Sequence, residues 1–376
     1  MRLWAYVYPG WHPTPERDAA FHPGFTEWEL LRECAPRFEG HAQPRRPLWG
    51  EYDDRDGAAM ARRTELARAH GVDGFVWASY WCRGKRVFEE PLDHWLATEA
   101  GSRTPFALMW ANRMPRRILP VRRDDLPVID PARRVDSDVE DLVRLFEHWA
   151  ERYFAHPHYL RLEGALYVSI FDSSFFLREL GRELATRAVG AVRARLRELG
   201  LPPLHLAAID PGPEEIGHVR AVGFDSVAHY VALPEWKGAF QQDYASCARA
   251  RADEWADWAE RAGLPYTPSI ATGWDASPRG ADFGPERPRK YPWWPVVTGE
   301  SPAAFERALR RGLEWSERSP LRDAPCFLAS LNEWTEGHYL EPDERFGYGM
   351  LQAVARARGR PLPELPDEAH ARPTRP

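Results

Sequence analysis

Apolar runs with strand character alternate with amphipathic, helix-like stretches along nearly the whole chain. The runs cover residues 3–8, 74–80, 105–110, 166–171, 204–209, 226–230, 266–271 and 326–331. Between them, helical spacing predicts helices over 56–70, 92–98, 137–154, 177–199, 244–262, 302–317 and 349–358, with a short one near 213. In 137–154 the apolar positions Val139, Leu142, Val143, Phe146 and Trp149 fall on one face. Gly71, Gly200 and Gly263 stand where helices should stop.

Strand–helix alternation of this kind specifies a parallel α/β fold. Eight units with no G-x-G-x-x-G after the first run favour a closed (β/α)8 TIM barrel over a doubly wound sheet. The pattern predicts one barrel domain over 1–358, long loops after strands one, three and seven, and a Pro- and Arg-rich flexible tail over 359–376.

Composition narrows the function classes. The 376 residues are 44% hydrophobic, enough for a substantial core. A net charge of -6 argues against nucleic acid or an anionic membrane as partner. Cys34, Cys82, Cys247 and Cys326 lie far apart and without zinc-cluster spacing. No signal-peptide core or membrane-length apolar run is visible, so a cytoplasmic location is expected. The 17 Trp residues are conspicuous. Trp149, Trp255, Trp258 and Trp315 have amphipathic helical spacing and read as core.

In a (β/α)8 barrel, chemistry sits where the strands end. Those positions hold Tyr8, Trp11 and His12; Trp77, Tyr80 and Trp81; Trp110 and Asn112; Asp172; Asp210; His229 and Tyr230; Trp274 and Asp275; and Asn332, Glu333, Trp334 and Glu336. Aromatic rings can cover the C–H face of a sugar while Asp, Asn and His bind its hydroxyls. Trp11, Trp81, Trp110 and Trp274 read equally as site wall or core, and His12 and His229 as hydroxyl ligands or as satisfied structural histidines. The sharpest pair is Glu333 and Glu336. Glycosidic cleavage needs one carboxyl to protonate the leaving oxygen and a second to supply or activate a nucleophile. The bland reading of E-x-x-E is a helix cap or surface ion pairs.

Several blocks together resemble the glycoside hydrolase family 99-like group, the WbsX-like proteins of polysaccharide gene clusters. They are Tyr8-Pro9-Gly10-Trp11-His12, Gly24-Phe25-Thr26-Glu27-Trp28, Gly84-Lys85-Arg86 before Glu90-Pro91-Leu92, and Trp110-Ala111-Asn112. Tyr153-Phe154 with His156-Pro157, Gly273-Trp274-Asp275 with Pro278-Arg279, and Asn332 to Gly337 with Tyr339-Leu340-Glu341-Pro342 complete the set. The resemblance implies a (β/α)8 barrel without metal or other cofactor, a relation to endo-α-mannosidases, and an oligo- or polysaccharide substrate. It also implies retention through attack by the sugar's own 2-hydroxyl. Glu333 would be the base for that hydroxyl and Glu336 the general acid, then the base for water.

One position departs from the resemblance. Relatives carry a carboxylate after W-A-N, where this chain has Arg113. The change reads either as loop drift or as a site for an acidic sugar, since Arg binds carboxylate, sulfate and phosphate bidentately. Two alternatives to a glycosidase stay open: a glycosyltransferase of polysaccharide synthesis, and a non-catalytic carbohydrate-binding barrel. Asp54-Arg55-Asp56 and Asp136-Ser137-Asp138 match the D-x-D pattern of nucleotide-sugar metal sites, but both sit at helix starts, where Asp commonly caps.

Overall fold

The computed structural model describes residues 2–82, 84–112, 138–281 and 288–365. Eight parallel strands form the barrel: β1 (Arg2–Val7), β2 (Gly74–Cys82), β3 (Phe106–Trp110), β4 (Ala165–Ile170), β5 (Leu204–Ile209), β6 (Ser226–Ala228), β7 (Tyr266–Thr267 with Ser269–Ala271) and β8 (Pro325–Ala329). Strands such as β3 and β5 are buried at every position, as strands covered on both faces must be.

Neighbours pair in register around the ring. Trp4 of β1 lies opposite Gly74 of β2 and Phe327 of β8. Closure runs through β7, which Pro268 divides because it cannot donate a ladder hydrogen bond. Tyr266 and Thr267 pair with β6, whereas Ser269–Ala271 pairs with β8, so the two halves join the ends of the sheet. Inside, Tyr6 stacks on Phe327 at 5.1 Å and meets Tyr230 at 4.9 Å, while Tyr167 packs on Phe327 at 5.9 Å, filling the barrel with rings. The expected (β/α)8 architecture is the one observed.

Differences in detail have local causes. The helix expected from residue 177 starts at Ser173, because the Asp172 carboxylate caps Phe175 N at 2.7 Å; it is kinked at Gly181, whose φ is 71°. The 137–154 segment is α-helical over Val139–Trp149 and finishes in a π turn over Ala150–Phe154. The 244–262 segment splits into Tyr244–Asp253 and Trp255–Ala262, and Gly263 ends it in the left-handed conformation. Asp56 and Asp138 do cap their helices.

The loop after β1 holds two short helices that periodicity passes over, Pro15–Ala20 and Glu27–Glu33. Each begins at a signal that was available. Thr14 precedes Pro15 at the first turn, and Thr26 forms a capping box with Glu29. Trp149 and Trp255 are buried, while Trp258 and Trp315 pack half-buried against the core. Among the described residues no helix is long and apolar enough to cross a membrane.

Candidate active site

Beyond β8 the chain turns back on itself. Asn332–Glu333 pairs antiparallel with His338–Tyr339, and Trp334–Glu336 forms a tight turn between them. The turn depends on Gly337, at φ 72°, where a Cβ would lie 2.9 Å from Asp275 N. Neither carboxyl caps a helix. Both Glu333 and Glu336 are drawn into a buried cluster at the barrel mouth.

Arg279 is the centre of that cluster. Its Nη2 donates to Glu333 Oε1 at 2.5 Å, its Nη1 donates to Glu336 Oε1, and its Nε donates to Thr335 Oγ1 at 3.1 Å and Glu27 Oε2 at 3.3 Å. Glu27 Oε1 also accepts from the Tyr8 hydroxyl at 2.5 Å and from Arg17 Nη2 at 2.7 Å. Thr335 donates to its other oxygen. Two guanidiniums thus face three carboxyls, so one carboxyl is best accommodated neutral.

The hydrogen bonds show which. Glu336 has both oxygens engaged: Tyr291 donates to Oε1 at 2.8 Å beside Arg279, and His338 Nε2 lies 3.1 Å from Oε2. Burial alone would raise its pKa, but Arg279, with His338 and Tyr291, holds it at about 2. Among the described residues, Oε2 of Glu333 has only the Tyr230 hydroxyl, at 3.4 Å. Burial, together with the charges of Glu336 and Glu27, pushes Glu333 well above the usual carboxylate range despite Arg279. Burial lowers the pKa of His338 against the pull of Glu336, which its Nε2 faces.

The other residues expected at the site divide into groups. Tyr8, Trp11, Asn332 and Trp334 support the hairpin and are fully enclosed. The Asn332 amide clamps both backbone groups of Tyr8 at 2.9 Å, Trp11 Nε1 donates to Asn332 O at 3.0 Å, and Trp334 stacks on Tyr339 at 3.7 Å. Trp274 lies face to face with His338 at 5.8 Å.

Asp275 is turned away from the pair and buried. It receives His41 at 2.8 Å and Gln43 at 2.6 Å, and His41 with Arg45 and Ser277 holds its carboxyl well below the usual range against the effect of burial. The Asn112 side-chain amide clamps both backbone groups of Asp172, donating to its O at 2.9 Å and accepting from its N at 2.8 Å, which locks the ends of β3 and β4. Trp81 stacks on His148 and Trp110 donates to Trp81 O, so both are engaged in packing.

His229 is the clearest relocation. It points into the helix layer, with its ring 4.0 Å from that of Trp258 and Nδ1 3.2 Å from the Tyr266 hydroxyl. His12 is held by Asp54 at 2.6 Å. His12, Asp53 and Asp54 are the one group among the described residues whose ligating atoms lie close enough for a metal, within 4.8 Å. Asp54 is occupied by His12 and Trp11 N, and Asp53 by a fork from Arg55, so internal partners satisfy the cluster. Arg113 lies outside the described residues.

Sequence reasoning gave no role to Glu27, Arg279, Tyr291, His338 or Arg17. Glu27 and Arg279 lay inside the matching blocks, but a single charge in a loop gives no local sign of burial. A cavity of about 210 Å³ lies elsewhere, in the outer layer between the helices Tyr244–Asp253 and Pro302–Glu317. None of the carboxyl cluster lines it.

The family model described as glycosyltransferase WbsX matches residues 3–354. The uncharacterised protein WxcX of Xanthomonas campestris pv. campestris is 31% identical over 389 aligned positions, covering 98% of this chain and 50% of the relative. The chain therefore spans about half the length of the curated relatives it matches. A family 99 endo-α-mannosidase from Bacteroides thetaiotaomicron superposes with a TM-score of 0.61 at 13% identity, covering 95% of this chain and 98% of that one. A glycoside hydrolase-like protein gives 0.58 at 13% identity, covering 95% and 93%. At such identities the structural likeness speaks for the shared barrel fold. The match over nearly its whole length, with a relative at 31% identity, makes this chain a member of the WbsX family.

Proposed function

We propose that the chain performs acid/base chemistry at a glycosidic bond of an oligo- or polysaccharide, with Glu333 and Glu336 as the reacting pair. The observation that carries this is the unequal engagement of two neighbouring carboxyls. Glu336 is fully hydrogen-bonded and charged, while Glu333 keeps a lightly engaged Oε2 for a proton. A neutral acid beside a carboxylate is the combination glycoside cleavage requires. The enclosed setting strengthens both groups' effect on developing charge.

In this arrangement Glu333 protonates the leaving oxygen and Glu336 acts as base, toward the sugar's 2-hydroxyl if the reaction follows the implied retaining course. That division reverses the roles implied by the family 99 resemblance. Delivering the sugar to an acceptor hydroxyl rather than to water uses the same groups, which accommodates the transferase description of the family.

A leaving-group series tests the roles. In Glu333→Gln, aryl glycosides with acidic phenols should keep far more of their turnover than those with poor leaving groups, because good leaving groups need no proton. Glu336→Gln should lose both alike. The opposite pattern would restore Glu336 as the acid.

The pair needs one proton, so kcat/KM should rise only at very acidic pH, through the ionisation of Glu336 at about 2. It should fall on the alkaline side as Glu333 deprotonates, well above the usual carboxylate range. An alkaline limb near an ordinary glutamate pKa, measured as kcat/KM against pH, would contradict the assignment.

A further inference from the structure

Trp236 is 50% exposed, more than any other large hydrophobic residue in the described structure. It stands in the loop after β6, on the same barrel mouth as the carboxyl pair. Among the described residues its one ring contact is edge-to-face on Trp274, at 5.0 Å and 82°. Trp274 in turn lies parallel to His338 at 5.8 Å, and His338 reaches Glu336 at 3.1 Å. A continuous line therefore runs from the reacting pair through His338 and Trp274 to an indole in solvent.

The loop is built to hold that indole out. Gln242 accepts from Glu235 N at 2.8 Å and donates to Glu235 O at 2.8 Å and Ala239 O at 3.0 Å. Trp294 Nε1 and Arg289 Nη2 donate to Gly238 O at 3.1 and 3.2 Å. The backbone on both sides of Trp236 is fixed, so the side chain cannot be tucked away by a small loop movement. A pre-ordered aromatic face loses little freedom on binding. Its apolar surface suits the C–H face of a pyranose, and its Nε1, unpartnered among the described residues, can donate to a hydroxyl.

We infer that Trp236 is the platform of an outer sugar subsite, which takes a pyranose of the substrate chain beyond the units at the cleaved bond. The ligand class is an extended oligo- or polysaccharide rather than a mono- or disaccharide. The inference rests on the reading of Glu333 and Glu336 as a glycosidic acid/base pair. Continuity with that pair favours a glycan over a protein partner as the occupant.

The test uses the full chain carrying Glu333→Gln, to prevent turnover, with and without Trp236→Ala. Both are applied to an array of oligosaccharides from disaccharide to octasaccharide, drawn from bacterial surface polysaccharides and yeast mannan. Leu184→Ala, another exposed apolar residue at 42%, serves as the surface control, and thermal melting checks folding. Affinity should rise with chain length. Trp236→Ala should cut the ratio of long-chain to disaccharide affinity by about five- to tenfold, the scale of one aromatic contact, and Leu184→Ala should not. Length-dependent binding that survives Trp236→Ala overturns the subsite and leaves the acid/base reading standing. Absence of binding to any glycan overturns both. A change in oligomeric state on Trp236→Ala, with glycan binding unaltered, assigns the indole to a protein contact and also overturns the subsite.

Discussion

Glu27→Gln should destabilise the fold by about 3–5 kcal/mol, the range seen when one partner of a buried ion pair is removed, and should abolish activity in whatever protein remains folded. Glu27 is fully buried, on the second loop helix after β1. It answers Arg17 at 2.7 Å and Arg279 at 3.3 Å. With Gln in its place two buried guanidiniums share the remaining carboxyls, and Arg279 loses the contact that fixes its reach toward Glu333 and Glu336. Thr335→Val removes one donor to Glu27 and one acceptor from Arg279 Nε, which keeps Glu27 Oε2, and should cost less, about 1–2 kcal/mol. Urea unfolding of the two variants, with activity measured per folded molecule, checks the contrast. Equal and small losses would mean that Glu27 is not the anchor of the cluster.

Glu333→Gln and Glu336→Gln should both lower turnover by about a hundred- to ten-thousandfold, yet move stability in opposite directions at neutral pH. The sign follows from proton linkage. The folded pKa of Glu333 is raised, so its contribution is complete below the unfolded pKa and is lost as pH climbs through the folded value. At pH 7 folding must keep a proton that the unfolded chain has released. Glutamine removes that requirement, so Glu333→Gln should gain stability relative to the parent as pH rises. Glu336 is the reverse. Its pKa falls to about 2 on folding, so its contribution is present above the unfolded pKa and is lost only as pH drops toward 2. Glu336→Gln should cost on the order of 3 kcal/mol at neutral pH. Melting curves at pH about 5 and about 8 would show the divergence. Parallel shifts would mean that the two carboxyls do not differ in charge.

The barrel was legible because its information is local. Strands buried on both faces write continuous apolar runs, and the helices between them write a 3.6-residue period. The E-x-x-E pair was legible as a candidate because it follows the last strand. What surrounds the pair was not, because each partner of a buried charge arrives from far along the chain. Arg279 and Glu27 are 252 positions apart, and nothing near either announces the other. The two loop helices were nearer to hand, since Thr26 and Glu29 spell a capping box.

His229 shows a different limit. At the end of a strand, adjacent side chains face opposite sides, so Tyr230 reaches Glu333 while His229 packs among the helices. A strand-end histidine is therefore half a prediction until the register is known. Asp275, Asn112 and Asp172 make a similar point. Polar residues that converge on a barrel mouth also have to tie its loops together, and these three do that.

Glu333 and Glu336 are proposed to cleave or transfer at a glycosidic bond without an activated nucleotide donor. The direct measurement is product release from a panel of oligo- and polysaccharides, whose leaving groups need a proton, with no nucleotide sugar present, for the parent chain and for both glutamine variants. The parent should release sugar or oligosaccharide, and that release should disappear in Glu333→Gln and in Glu336→Gln alike. Sugar transfer that occurs only when a nucleotide sugar is added, or release that persists in either variant, would contradict it.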